Sequence, residues 1–297
     1  MSNQRCPVCN HPHPQRVFAI TRKEVDVDAW LYQCLVCDYH FVLPLPSAAF
    51  LNAFYGEEYG CYVSPSPPMN RALERRVHRL LRIKGKPGKL LDVGGGNGAF
   101  IAAALNLGWD AYSLETSAVA HRQAQAILGK RAIHASIEDL DPDINNFDVV
   151  TAWAVIEHLT DPIPIMKAAV SRLRAGGTLY LQTPYIRSLA ARRFKDDWRL
   201  IKHSPDHVGF FTLRTIQHLC TELRLDFVSS RLGGMPFPFG RAKPRSPNTS
   251  RAKSITKPSI LHAIKHDLAG RIARLLSGTL RLGDNIEFVL QKQAGDV

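Results

Sequence analysis

The sequence predicts an α/β fold: a largely parallel sheet with helices on both faces, preceded by a small four-cysteine module. Three observations predict it. From residue 89 onward, short apolar runs alternate with helix-period segments, as in a parallel sheet covered on both sides. The first run leads into a glycine turn, Leu90-Leu91-Asp92-Val93-Gly94-Gly95-Gly96-Asn97-Gly98. Ahead of the alternation stand two Cys-x2-Cys pairs, Cys6/Cys9 and Cys34/Cys37, with 24 residues between them.

Taken in order, residues 1–43 form the cysteine module and 44–88 a linker with N-terminal helices. Pro44, Pro46, Pro65, Pro67 and Pro68 suit irregular chain, with one short helix over 48–55. A helix over 71–83 puts Leu73, Val77, Leu80 and Leu81 on one face. Strands are predicted at 89–93, 110–114, 131–134, 147–152 and 178–182, the last stopped by Pro184. Helices fall at 99–107, ended by Gly108, at 117–128, and at 163–173, closed by Gly176 and Gly177. A helix over 213–222 and strands at 225–230 and 286–291 complete the region 89–297. Within it, 231–284 reads as a basic insertion: a loop over 235–257 rich in Pro, Ser, Arg and Lys, then a basic amphipathic helix over 258–282.

At 297 residues the chain is long enough for one full α/β domain plus a small module. Its longest apolar stretches are far short of the roughly 20 residues a membrane span needs. Residues 1–9 are polar and lack the apolar run of a secretory signal, so the expected location is cytoplasmic, free or peripheral to a membrane. Net charge is +12, with +5 in 1–89, −4 in 90–185 and +11 in 186–297. Such basic flanks suit nucleic acid, anionic lipid or a phosphorylated substrate, and equally a plain solvated surface.

The glycine turn lets the backbone approach a ligand closely, and the helix after it offers N–H groups. Gly94, Gly96 and Ala99 also fit a dinucleotide fingerprint. Asp92 separates the readings: a carboxylate there repels a pyrophosphate and suits a cofactor with a cationic amino group. Glu115 ends the second strand, 23 positions after Asp92, where a carboxylate accepts both hydroxyls of a ribose. After the third strand, Ile137 is placed against an adenine face and Glu138 or Asp139 at its exocyclic amine; the alternative is a plain surface turn.

The segments LLDVGGGNGAF, YSLETS, SIEDL and FDVVTAWAVIEHLTDP, in this order, resemble class I S-adenosylmethionine-dependent methyltransferases. The likeness is to the subgroup that includes ubiquinone-biosynthesis O-methyltransferases, and it extends to Leu181-Gln182-Thr183-Pro184 and the stretch from Ser204 to Thr212. It implies a Rossmann-like seven-stranded sheet of order 3-2-1-4-5-7-6 with strand 7 antiparallel. It also implies S-adenosyl-L-methionine as cofactor, held by Asp92, Gly94, Gly95, Gly96, Gly98, Glu115, Ile137, Glu138 and Trp153.

The carboxyl ends of parallel strands face the ligand crevice, which places Trp153-Ala154-Val155-Ile156-Glu157-His158-Leu159 beside the site. His158 is a candidate general base because an imidazole titrates near working pH; alternatively Glu157 and His158 orient the loop. His207, downstream with His203, is the second candidate. Trp198, Phe210 and Phe211 either line the acceptor pocket or belong to the core. Positioning alone supplies much of the rate of a methyl transfer, so a dedicated base is not obligatory.

Cys6, Cys9, Cys34 and Cys37 resemble a zinc ribbon, in which four thiolates hold one ion and leave no open position. The expected zinc is therefore structural; iron or a redox pair is the alternative. Cys61 and Cys220 read as ordinary buried thiols. Zinc knuckles joined to this fold occur in deoxysugar C-methyltransferases and in a ribosomal-RNA guanine methyltransferase family, where the knuckle helps hold the acceptor; this sequence matches neither across its whole length. The expected function is methyl transfer to a small-molecule, sugar or lipid-linked glycan acceptor, with the 258–282 helix meeting an anionic or membrane surface or closing the pocket. RNA methylation is the alternative, and a non-enzymatic zinc-bearing scaffold a third reading.

Overall fold

The computed structural model describes residues 4–22, 27–47, 49–51, 71–202, 206–233 and 283–294. The expected loop 235–257, the basic helix 258–282, His203, Cys61 and most of the 48–55 helix lie outside the described residues. No helix of the described residues is long and apolar enough to cross a membrane.

Three strands open the chain: β1 (Gln15–Arg22), β2 (Val27–Gln33) and β3 (His40–Leu43). Helix α1 (Arg71–Lys84) follows. The alternation then runs β4 (Lys89–Val93), α2 (Ala99–Asn106), β5 (Asp110–Glu115), α3 (Ala118–Leu128), β6 (Ala132–His134), β7 (Phe147–Trp153), α4 (Pro162–Ser171) and β8 (Leu173–Pro184). Next come α5 (Leu189–Phe194), α6 (Arg199–Lys202), β9 (Gly209–Phe210), α7 (Leu213–Leu223), β10 (Leu225–Gly233) and β11 (Asn285–Lys292).

The large sheet has the order β10-β11-β8-β7-β4-β5-β6. Numbered within that sheet it is 3-2-1-4-5-7-6, and β11 runs antiparallel to both neighbours, as the resemblance implies. Strand β4 is buried along nearly its whole length because helices cover both faces, which is why it reads as a continuous apolar run. On one face Val77, Leu80, Phe100 and Ile101 of α1 and α2 pack on Leu90, Ala111 and Val149. On the other, Met166 and Val170 of α4 and Ile216 and Leu219 of α7 pack on Leu91, Val150 and Leu181. Val93 lies beside Leu114 and Ala152 in register, so the carboxyl ends of β4, β5 and β7 finish together at one edge.

Local chemistry sets the boundaries. Ser117 caps α3 by accepting from Ala120 N, and Thr212 and Thr215 form a reciprocal capping box on α7. Two expectations change. The α4 helix stops at Ser171, and the segment 173–177, read as helix end and glycine stop, is the start of β8. Leu173 pairs with Phe147, the strand shifts register before Thr178, and a Cβ at Gly177 would lie 2.9 Å from the Arg174 oxygen and 3.0 Å from that of Phe147. The glycine there admits close strand contact. The second change is a separate four-stranded sheet, β1-β2-β3-β9, whose last strand comes from residues 209–210. Trp198, Phe210 and Phe211 are fully buried, so these aromatics are core.

Candidate functional site

The glycine turn follows β4 and folds back on the end of β5. The N–H groups of Gly94 and Gly95 both donate to the Leu114 oxygen, at 2.8 and 3.0 Å. Gly96 N donates to Glu115 Oε2 at 2.8 Å, Gly98 N to the Gly95 oxygen at 3.1 Å and Ala99 N to Asn97 Oδ1 at 3.2 Å. The turn therefore uses the N–H groups of Gly94, Gly95, Gly96 and Gly98 internally, and the donors expected of the helix start fall to the residues after it. Phosphate cradles depend on such donors, so this turn is poorly matched to a pyrophosphate. Gly96, at φ +57°, has nothing within 4 Å of where a Cβ would stand, and this is the open side of the turn. Gly94 is covered instead, because Val155 would lie 2.6 Å from a Cβ there.

Two carboxylates and one guanidinium surround this turn. Asp92 is buried and accepts from Thr151 Oγ1 at 2.6 Å. Burial pushes its carboxyl up to about 7, against the pull of Thr151 and the nearby Arg76. Glu115 accepts from Gly96 N through one oxygen and from Ser117 N through the other, at 2.7 Å, so it is fixed with lone pairs to spare. Arg76 lies 4.7 Å over the Trp153 ring, and Trp153 packs on Phe100 and Tyr180. Arg76 was not legible as a site residue, since on a basic amphipathic helix it resembles any solvated charge.

Asp92, Gly94, Gly95, Gly96, Gly98 and Glu115 thus gather at one edge of the sheet. Trp153 flanks them on the α1/α2 side. Ile137 is buried in the core of the opposite side, where it contributes packing more than an open face. In the turn after β6, Ser136 Oγ donates to Asp139 Oδ2 at 2.7 Å, leaving exposed Glu138 as the carboxylate available to a ligand. This donor set, two anions and one cation without a phosphate cradle, fits a ribose joined to an amino acid zwitterion.

The residues expected on the acceptor side follow Val155, beginning with Glu157. Glu157 is fully buried, with Thr183 Oγ1 donating to its Oε2 at 3.1 Å and Oε1 lacking a partner among the described residues. Burial pushes the Glu157 carboxyl up to about 7, opposed by the His158 charge. His158 Nδ1 lies 2.8 Å from Asp206 Oδ2. Burial pulls the His158 pKa down, but Asp206 and Glu157 outweigh it, and the net shift is upward from 6.5. The His207 ring stands 4.7 Å from that of His158, edge to face, with Nδ1 2.8 Å from the Leu200 oxygen. A carbonyl only accepts, so His207 Nδ1 carries the proton and its neutral form has the lone pair on Nε2. The same holds for His158 against Asp206. The structure therefore brings His158 and His207 together and adds Asp206, a carboxylate the motif reading passed over although it adjoins His207. Glu157, His158 and His207 have donor atoms within 4.8 Å of one another.

The four cysteines converge as their spacing predicts. All four Sγ atoms lie within 4.8 Å of one another, with Cys6–Cys37 and Cys9–Cys34 each at 3.5 Å. All are free thiols. A tetrahedral site with Zn–S of about 2.3 Å places sulfurs about 3.8 Å apart, so the set fits zinc. The Cys37 thiol donating to Cys6 pushes Cys6 down to about 5 and raises Cys37, while burial pushes Cys9 up to about 11. Crowded thiols cannot all ionise alone; a dication holds them together as thiolates. His40 is turned to the Asp38 oxygen at 3.0 Å, and burial pushes Cys220 up to about 11, an inert thiol as expected.

Comparison with known proteins identifies the family and the fold. The family described as a methyltransferase domain matches residues 68–230, more than half of the chain. The ubiquinone biosynthesis O-methyltransferase of Xanthomonas campestris pv. campestris is 29% identical over 126 residues, 40% of this chain and 53% of that protein. Its mitochondrial counterpart in Candida albicans is 31% identical over 105 residues, 32% of each chain. The chain thus spans about half the length, or less, of the curated relatives it matches. Among solved structures, magnesium protoporphyrin IX methyltransferase from Synechocystis, with bound S-adenosylhomocysteine, has a TM-score of 0.52 at 11% identity, covering 83% of this chain and all of that one. An S-adenosylmethionine-dependent methyltransferase from Archaeoglobus fulgidus has a TM-score of 0.50 at 14% identity with the same coverage. At such identities the likeness is one of fold.

Proposed function

This chain belongs to the methyltransferase-domain family, and from that premise we propose that it transfers a methyl group from S-adenosyl-L-methionine to a hydroxyl of a small-molecule, sugar or lipid-linked glycan acceptor. The observation that carries the reading is the glycine turn whose N–H groups are spent on Leu114 and Glu115 while Asp92, Glu115 and Arg76 surround it. When bound, the cofactor supplies an electrophilic methyl group on a sulfonium. Asp92 would hold its amino group, Arg76 its carboxylate, Glu115 the ribose hydroxyls and Glu138 the adenine amine. The acceptor hydroxyl would lie against His158, whose Nε2 would take up its proton as the methyl group is transferred. Asp206 orients that imidazole and stabilises its protonated form, and His207 helps place the acceptor. Cys6, Cys9, Cys34 and Cys37 hold one structural zinc.

Titration calorimetry with S-adenosylhomocysteine, with NADH as control, tests the cofactor. Micromolar binding of the first alone is expected; binding of NADH alone would overturn the reading. Affinity is also expected to fall as pH drops below about 7, because the Asp92 carboxyl that receives the cationic amino group then takes up a proton. The limiting slope is about tenfold per pH unit. Asp92→Asn should bind weakly at every pH and lose this slope; a variant that keeps it would move the titration elsewhere.

The base assignment has its own pH signature. Only neutral imidazole accepts a proton, so kcat/KM should rise with pH through a value above the ordinary 6.5 of histidine. Asp206→Asn removes a charge that holds this value up, so the acid limb should move to lower pH. A limb that stays in place would show that His158 is not the base. RNA, the alternative acceptor, requires salt-dependent retention by the pure protein; no retention at low salt removes it.

A further inference from the structure

The cysteine module and the histidine pair belong to one hydrogen-bonded fabric. Strand β3 pairs with β9 through His40–Phe210 and Phe41–Gly209. Val42 N donates to the Val208 oxygen at 2.9 Å, and Val208 N donates to the Glu157 oxygen at 2.8 Å. Two steps therefore lead from β3, past the residue after His207, to the residue before His158.

The second cysteine knuckle grips the same segment from its other side, and Asp38 is the joint. Asp38 follows Cys37 with φ +59°, and its N–H donates to the Cys34 oxygen at 2.9 Å. Its carboxylate accepts from Gln33 Nε2 at 2.8 Å and from Arg187, just after β8, at 2.6 and 3.3 Å. Its carbonyl accepts from Thr212 Oγ1, the cap of α7, at 3.3 Å. Tyr39 packs on Phe211 with ring centroids 5.0 Å apart, and a Cβ at Gly209 would lie 1.9 Å from its hydroxyl. Strand β9 has only two residues, too few to hold themselves without a partner. The segment 206–212, which carries Asp206 and His207, is thus held from the knuckle. No hydrogen bond among the described residues joins 4–47 to the glycine turn or to Glu115.

We propose that Asp38 is a positioning residue for the acceptor side: it couples the second cysteine knuckle to 206–212, and so to the Asp206–His158–His207 group, without taking part in cofactor binding. The functional meaning rests on the assignment of those histidines above, whereas the mechanical coupling does not.

The test uses the full chain and amide hydrogen exchange read by mass spectrometry, with zinc content and S-adenosylhomocysteine affinity measured on the same samples. Asp38→Gly keeps the carbonyl that accepts from Thr212 but removes the carboxylate whose bonds to Gln33 and Arg187 fix that peptide in place, while tolerating the left-handed backbone. Exchange at 157–160 and 206–212 should rise roughly tenfold, whereas 92–98 and 110–117 stay protected. Zinc content and cofactor affinity should stay unchanged. Asp38→Asn, which keeps an acceptor for Arg187 and suits this backbone, should restore most of the protection, and Arg187→Leu should reproduce the loss. A rise confined to 4–47, a rise spread equally to 92–98, or no rise overturns the proposal. If wild-type protein fails to bind S-adenosylhomocysteine, the methyl-transfer reading falls, but the exchange result still decides the coupling.

Discussion

Glu115→Ala is expected to lower the affinity for S-adenosylhomocysteine by about two orders of magnitude. The carboxylate is nearly buried and cannot swing away, because Gly96 N holds one oxygen at 2.8 Å and Ser117 N the other at 2.7 Å. Each oxygen retains acceptor capacity for a ribose hydroxyl. A hydrogen bond to a charged group is worth about 1.5–3 kcal/mol. Two at the lower figure give about 3 kcal/mol, or about a hundredfold in affinity. Glu115→Gln keeps one oxygen for the turn and should fall between. Because the substitution also frees two N–H groups, the thermal midpoint should be read beside the calorimetry. A variant that melts like wild type and binds equally well would place the ribose elsewhere.

The half of the candidate site assigned to the cofactor is legible in the sequence because its physics is local. A strand buried on both faces must be apolar throughout, and the turn after it needs glycines where φ is positive, as at Gly94, Gly96 and Gly98. Asp92 and Glu115 follow at the ends of adjacent strands, so sequence position alone places them together. Arg76 was not legible, since its meaning comes from the stacking of α1 over Trp153, a tertiary fact. Asp206 is similar: its role depends on a loop that brings it to His158 from 48 positions away. The internal bonds of the glycine turn are not legible in the sequence, because Leu114 and Glu115, which accept from Gly94, Gly95 and Gly96, reach the turn from the neighbouring strand.

Where the small sheet is concerned, the signal was weak for a different reason. Strand β1 alternates poorly, exposing Val17 as well as Arg16, and β9 has two residues that pair only because β3 is there. The Gly176-Gly177 dipeptide looked like a helix stop and is instead a point of close strand approach. In each case the deciding partner is distant in sequence, which no local pattern carries. The sheet order, by contrast, came from the family resemblance and matches the structure.

The second large effect concerns the metal. In Cys34→Ser, zinc should fall from one equivalent per chain to a small fraction of that. Cys34 is buried, with its Sγ 3.5 Å from that of Cys9, so the serine hydroxyl would replace a thiolate where no water can serve instead. The apparent free energy of a structural zinc site, about 10–16 kcal/mol, is largely folding free energy of the residues around it. Much of the order in the cysteine module should therefore go with the ion, and the remaining thiols should become reactive to alkylation. Cofactor affinity should survive, because the hydrogen bonds holding Asp92, Glu115 and the glycine turn arise within 89–151. Methyl transfer should be lost more completely than cofactor binding, since Val42 and Asp38 hold the segment bearing Asp206 and His207. Full zinc retention in this variant would show that the ligand set is wrong. Equal loss of cofactor binding would show that the module supports the whole fold and not one side of the site.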